Sequence, residues 1–314
     1  MSSVPESPAA ARPPSGARGG HARRRLRTQL RTADGVVLEA AYEPYTAGVS
    51  DAAIVVAHGF TGSLDRPAVR RAVAALSGHA AVVSFSFRGH GRSGGRSTVG
   101  DREVLDVAAA VAWARSLGHR TVVTVGFSMG GSVVLRHAAL YGTGGGGSHA
   151  GAGAAPGVAG SGVRGRIGST AGALSTGGAR EARTDAVAAV SAPARWYYRG
   201  TPSMRRVHWV ITRPLGRAVG RWGLGTRIHG RDWDPVPLPP VAAVPLIAPT
   251  PVLIVHGDRD PYFPLDHPRS LAAAGATELW LEPGMGHAEN AVDERLLGRI
   301  AQWLIARAAT VDGS

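Results

Sequence analysis

Cysteine is absent from all 314 residues, so the chain has neither disulfides nor thiolate chemistry, and its redox compartment is left undetermined. Lysine is absent too: the 35 basic residues are all arginine and outnumber 22 acids, for a net charge of +13. An all-arginine set accompanied by abundant Ala and Gly partly reflects coding bias, which makes it weaker evidence for a basic partner than a designed patch would be. No run of 18 apolar residues occurs, so a membrane-spanning helix is not expected. What remains is 44% hydrophobic, enough for one large α/β domain with insertions.

Residues 1–27 are rich in Pro, Ala, Ser, Gly and Arg and end in a run of arginines with no apolar segment behind it. That composition reads as a disordered basic tail rather than a secretory or twin-arginine signal, with attachment to an anionic surface as the lesser reading. The expected location is cytoplasmic, with peripheral membrane contact as the variant.

From Thr28 onward, strand-like and helix-like segments alternate, which predicts a mostly parallel sheet with helices on both faces. A hairpin arm is expected over Thr32–Glu43 with Asp34-Gly35 at its turn, and buried strands over Ala53–Ala57, Ala81–Phe87, Val122–Val125, Asp185–Ser191, Val252–His256 and Thr277–Leu281. Helical spacing marks Pro67–Leu76, Val104–Leu117 and Val292–Ala308. Residues 142–178 collapse into Gly, Ala and Ser and are read as a flexible insertion. The expected division is a first core part over 28–192, a cap over 193–249 and a second core part over 250–310.

The most informative stretch is Thr121–Leu140, TVVTVGFSMGGSVVLRHAAL: a β-branched run, a serine between glycines, then a helix former. A strand that reverses into a helix within a few residues crowds its neighbours. Gly126 and Gly130 relieve that crowding and leave the Ser128 hydroxyl exposed at the tip of a nucleophile elbow. Met129 then presents a backbone N–H at the helix start, free to donate to a developing oxyanion. With 44 glycines the G-x-S-x-G pattern has little weight alone, and it recurs at Gly91–Gly95 around Ser93. Context separates the two, because Ser93 lies in a Gly/Ser/Arg loop with no strand directly before it and no helix directly after.

A serine nucleophile needs a base and a group that orients the base. Downstream, the strand Val252–Val255 runs into His256-Gly-Asp258-Arg-Asp260, which offers two acids, and Leu281-Glu-Pro-Gly-Met-Gly-His287 offers one histidine in a second strand-to-turn segment. Carboxyl ends of parallel strands are where ligand sites form, so these turns and the elbow are expected on one rim.

In these motifs the chain resembles the α/β-hydrolase superfamily, in its serine-hydrolase branch of monoacylglycerol-lipase-like and serine-aminopeptidase-like members. The resemblance rests on His58-Gly59-Phe60, Arg88-Gly89-His90-Gly91-Arg92-Ser93, Gly126-Phe-Ser128-Met-Gly130, His256-Gly-Asp-Arg-Asp260 and Gly286-His287, in family order. It implies Ser128 as nucleophile, His287 as general base, Asp260 rather than Asp258 as the orienting acid, and an oxyanion hole from the N–H groups of Phe60 and Met129. The expected reaction is cleavage of a carboxylic ester or thioester of a small-molecule acyl substrate through an acyl-enzyme, without cofactor or metal. The alternatives are a short-peptide amidase or aminopeptidase, and a ligand-binding protein that keeps the fold without catalysis.

The remaining features have plainer readings. His58 and His256 precede loop glycines and are expected to hold loop hydrogen bonds, and His90 fits a structural loop. Gly89, Gly91 and Gly94 match G-x-G-x-x-G, but no acid follows over Val107–Arg120 to hold a ribose, so a dinucleotide site is not expected. Asp101 is expected to cap the helix that follows it. Between Arg195 and Arg231 stand nine arginines and no acid, interleaved with Trp196, Tyr197, Tyr198, Trp209 and Trp222. The favoured reading is a solvated basic face over an aromatic packing stripe; the other is a lid touching an anionic lipid surface or an acidic substrate. No nucleic-acid motif accompanies the charge.

Overall fold

In a computed structural model, residues 25–142 and 181–311 are described. They form an eight-stranded sheet: β1 (Leu26–Arg31), β2 (Val37–Glu43), β3 (Ala52–Ala57), β4 (Ala81–Phe85), β5 (Thr121–Phe127), β6 (Val187–Val190), β7 (Val252–Gly257) and β8 (Glu278–Glu282), in the spatial order β1-β2-β4-β3-β5-β6-β7-β8. Strand β2 pairs antiparallel with both β1 and β4, and every pair from β4 to β8 is parallel. The sheet is thus the mostly parallel, helix-covered one that the alternating segments predict.

Both faces are covered, and β3 shows how the sequence arranges this. Its residues are all buried, with Ala53, Val55 and Ala57 on one side and Ala52, Ile54 and Val56 on the other. Strict side-chain alternation therefore feeds two cores from one apolar run, as a strand covered on both faces requires. On the first side pack α2 (Glu103–Ser116) and α3 (Met129–Tyr141); on the second pack α1 (Pro67–Leu76) and α9 (Glu294–Val311).

Several boundaries differ from the expected ones. Strand β1 begins at Leu26, so Leu26 and Arg27 belong to the sheet rather than the tail: Leu26 pairs with Tyr42, and Arg25 binds Glu43 at 2.7 Å. The rest of the tail assignment, residues 1–24, and the insertion from 143 to 178 lie outside the described residues. Asp185 precedes β6 and ties the chain there to β5 and α2, accepting hydrogen bonds from Val122 N at 2.7 Å and Arg115 at 2.8 Å. Asp101 does not cap α2. Glu103 instead holds the preceding loop, its buried carboxylate accepting from Thr98 N, Gly100 N and the Ser97 and Thr98 hydroxyls, while Asp101 receives Arg136 at 3.5 Å.

Between β6 and β7 lie α4 (Pro202–Thr212), α5 (Pro214–Trp222) and the short α6 (Pro240–Ala243). The chain at 226–229 hydrogen-bonds back to the core loop after β4, from Arg227 N to Gly89 O and from Ser97 N to Arg227 O, both at 2.7 Å. Gly89 sits at φ +76°, and a Cβ there would meet Ser97 N at 2.4 Å. That is why this loop carries glycines. Helices α7 (Asp266–Ala273) and α8 (Ala288–Ala291) complete the chain order before α9.

Candidate active site

Strands β5, β7 and β8 run parallel, and their carboxyl ends bring together the three turns picked out in the sequence. At the end of β5, Ser128 has φ 51° and ψ −114°, a conformation that costs an L-residue strain and is held by its surroundings. Its N–H donates to Val190 O of β6 at 2.8 Å. The flanking glycines are dictated by backbone crowding: a Cβ on Gly126 would lie 2.2 Å from Gly130 O, and one on Gly130 would lie 2.2 Å from Ala57 O. Neither position can take a side chain without opening the turn.

His287 Nε2 lies 2.9 Å from Ser128 Oγ, and its Nδ1 lies 2.7 Å from Asp260 Oδ2. The Asp260 side chain is fully buried, and its second oxygen accepts the N–H groups of Tyr262 at 2.8 Å and Phe263 at 3.1 Å. Burial pushes its pKa up. The hydrogen bond and charge of His287, together with the Tyr262 amide and nearby His256, outweigh burial and hold the carboxyl below its usual range. Asp258 points elsewhere and accepts Gly284 N at 2.6 Å, which ties the turn after β7 to the turn after β8. The Tyr262 ring lies against the imidazole, with centroids 4.3 Å apart and planes inclined by 33°.

The backbone N–H groups of Phe60 and Met129 make no hydrogen bond among the described residues. Met129 is the first residue of α3, where an unsatisfied amide and the positive end of the helix dipole coincide. Phe60 follows Gly59, whose own N–H donates to the Glu289 carboxylate at 2.9 Å. Glu289 was not visible as a site residue from spacing. It lies two positions past His287 and reaches back 230 residues to the turn after β3, so no local pattern announces it.

Phe60, Ser128, Met129 and His287 line one side of a cavity of about 820 Å³; cap residues including Trp196, Val207 and Trp233 line the other.

His58, His256 and His90 hold loop contacts. His58 donates through Nδ1 to Gly59 O at 2.7 Å and accepts Phe87 N at Nε2, and burial drives its pKa down to about 3. His256 contacts Phe263 O at 2.9 Å behind Asp260. His90 contacts Arg88 O at 3.0 Å, and burial brings its pKa to about 4. Ser93 is buried and clips its loop to the sheet, donating to Ser86 O at 2.6 Å and accepting Glu39 N at 3.0 Å. Among the described residues no group of three or more His, Asp or Glu is placed to hold a metal ion.

The chain matches the model of the alpha/beta hydrolase family over residues 54–297, and it belongs to that family. No curated protein matches it in sequence. Among solved structures it is similar to the esterase Pf2001 of Pyrococcus furiosus, at 19% identity and a TM-score of 0.60 over 90% of this chain and 92% of the other. It is similar to the alpha/beta hydrolase GrgF of Penicillium sp. sh18, at 17% and 0.61 over 91% and 99%. The esterase domain of a Rhodothermus marinus protein follows at 17% and 0.54, over 91% and 98%. Likeness at such identities establishes the fold.

Proposed function

We propose that this hydrolase cleaves a carboxylic ester or thioester through an acyl-enzyme, with Ser128 as nucleophile. The observation that carries the reading is the unbroken chain from Ser128 Oγ through His287 to buried Asp260, at 2.9 and 2.7 Å, opening into the cavity. In the first half-reaction His287 Nε2 takes the Ser128 proton as Oγ bonds to the acyl carbon, and the carbonyl electron pair moves to oxygen. The N–H groups of Phe60 and Met129, without partners among the described residues, would donate to that oxyanion, each such donor contributing about 3 kcal/mol to the transition state. Collapse expels the alcohol or thiol, which takes the proton from His287. Water then repeats the sequence on the acyl-enzyme, releasing the acid and restoring Ser128. Asp260 keeps the Nδ1 proton in place, so that Nε2 faces the serine as an acceptor.

The names of two of the similar structures, both esterases, favour an ester bond over an amide. Asp232 and Glu289 line the cavity, so an acid for a free α-amino group is present, and the preference for an ester rests on those names alone. The test is a panel of nitrophenyl esters of rising chain length on the purified protein, with Ser128→Ala as control. Turnover that depends on Ser128 supports the reading; equal turnover by the variant removes it.

A further inference from the structure

We infer that the cap carries a docking surface for an anionic lipid bilayer, built on the outward stripe of α5. Helix α5 is amphipathic but faces the wrong way for a helix that covers a core. Its buried residues are Gly216 and Gly220, while Leu215 is 68% exposed, Val219 42% and Trp222 79%. The glycine side is fixed by close approach: a Cβ on Gly216 would meet Trp209 O at 2.3 Å, and one on Gly220 would meet Ile228 Cδ1 at 3.2 Å. The helix cannot roll to hide its large side chains. Leu215, Val219 and Trp222 follow the i, i+4, i+7 spacing of one helical face, about 10 Å long. Trp209, on the neighbouring α4, is also 42% exposed.

The charge around the stripe selects the occupant. Of the nine arginines from Arg195 to Arg231, Arg195 pairs with Asp266, Arg199, Arg206 and Arg231 line the cavity, and Arg205, Arg217 and Arg227 donate to backbone carbonyls, which leaves Arg213 and Arg221 at the two ends of α5 with no ion pair among the described residues. Arg221 lies 4.7 Å over the Trp222 ring, the pairing of aromatic body and cationic head that suits a headgroup boundary. Arg217 is committed to the chain, donating to Thr212 O at 3.0 Å. A second copy of this chain meeting the stripe symmetrically would set unpaired arginines against arginines. An anionic bilayer supplies both an apolar layer for Trp222, Leu215 and Val219 and phosphates for the arginines.

The test uses the full-length Ser128→Ala protein, so the result does not depend on the proposed chemistry. It is co-sedimented with phosphatidylcholine vesicles, with or without phosphatidylglycerol. The expected result is binding to the anionic vesicles at low salt, release as salt rises and no binding to the neutral ones. Adding Leu215→Ser and Trp222→Ser together should weaken binding about tenfold with an unchanged melting temperature. Arg213→Gln and Arg221→Gln should each cost about fivefold, equivalent to about 1 kcal/mol per arginine. Three results overturn the inference. One is no binding; another is binding unaffected by the α5 changes but abolished by Arg18→Gln, Arg23→Gln and Arg24→Gln in the amino-terminal segment. The third is a dimer in sedimentation velocity that Trp222→Ser dissolves, which would make a second copy the occupant.

Discussion

The elbow at Ser128 and the cap helix α5 each rest on two glycines four residues apart, and the two pairs have opposite consequences. At the elbow, Gly126 and Gly130 let β5, α3 and the end of β3 close to within contact of one another, and the crowding raises a single polar group into a cavity. In the cap, Gly216 and Gly220 let α5 lie flat on its neighbours, and the result is that its largest apolar residues face water. The same small residue thus presents a hydroxyl in one region and a hydrophobic stripe in the other. What decides is which side chains the close approach leaves on the outer face.

The difference can be broken most directly at the hydroxyl. Ser128→Ala should lower ester turnover by about 10⁶-fold, since nucleophile and base act as a unit. Ser93→Ala, in the second match to the same motif, should leave turnover near wild type and lower the melting temperature, because it removes a buried clip between Ser86 and Glu39. Asp260→Asn should cost about 10⁴-fold in kcat, because an amide favours the wrong imidazole tautomer. Asp258→Asn, which touches Gly284 rather than His287, should cost less than about tenfold. The reverse ranking in steady-state kinetics would move the orienting role to Asp258.

Stability should separate the two glycine pairs. Gly130→Ala sets a Cβ against Ala57 O in the centre of the sheet and should destabilise the whole domain by more than about 3 kcal/mol in denaturant unfolding. Gly216→Ala meets only the cap backbone at Trp209. It should displace α5, seen as faster amide exchange in the cap, while the core unfolds at its wild-type midpoint.

The smallest effect concerns pH. The folded-state pKa of Asp260 is depressed, so its contribution to stability is complete above about pH 4, the unfolded carboxylate value, and is lost as pH falls through the lower folded value. The melting-temperature gap between wild type and Asp260→Asn should therefore be at its full width above about pH 4 and narrow as pH falls below it.

The two regions also differ in how far they could be read from sequence. Strands β3, β5 and β7 are short, apolar and buried on both faces, so composition and position coincide and the expected limits fall within two residues of the observed ones. Ser128 and Asp260 stand out because each follows such a strand where it breaks into a glycine-bearing turn, and His287 because it follows the glycine-bearing turn after the partly exposed β8. Glu289 does not, because its role is to hold Gly59 from the far end of the chain. Leu26 was hidden by the arginines around it: only pairing with Tyr42 makes it a strand residue. In the cap, hydrophobic pattern and burial part company. The sequence favours an aromatic packing stripe at Trp209 and Trp222, whereas both are exposed, because α5 is seated through Gly216 and Gly220.

The central claim is that the Ser128 hydroxyl is an activated nucleophile, and covalent labelling addresses it without assuming a substrate. The protein is treated with a fluorophosphonate probe near neutral pH and the modified peptide is identified by mass spectrometry. The account predicts one adduct, on Ser128, that is lost in Ser128→Ala, kept in Ser93→Ala and strongly slowed in Asp260→Asn. An adduct on another serine, or ester hydrolysis by a protein that Ser128→Ala leaves fully active and fully labelled, would contradict it.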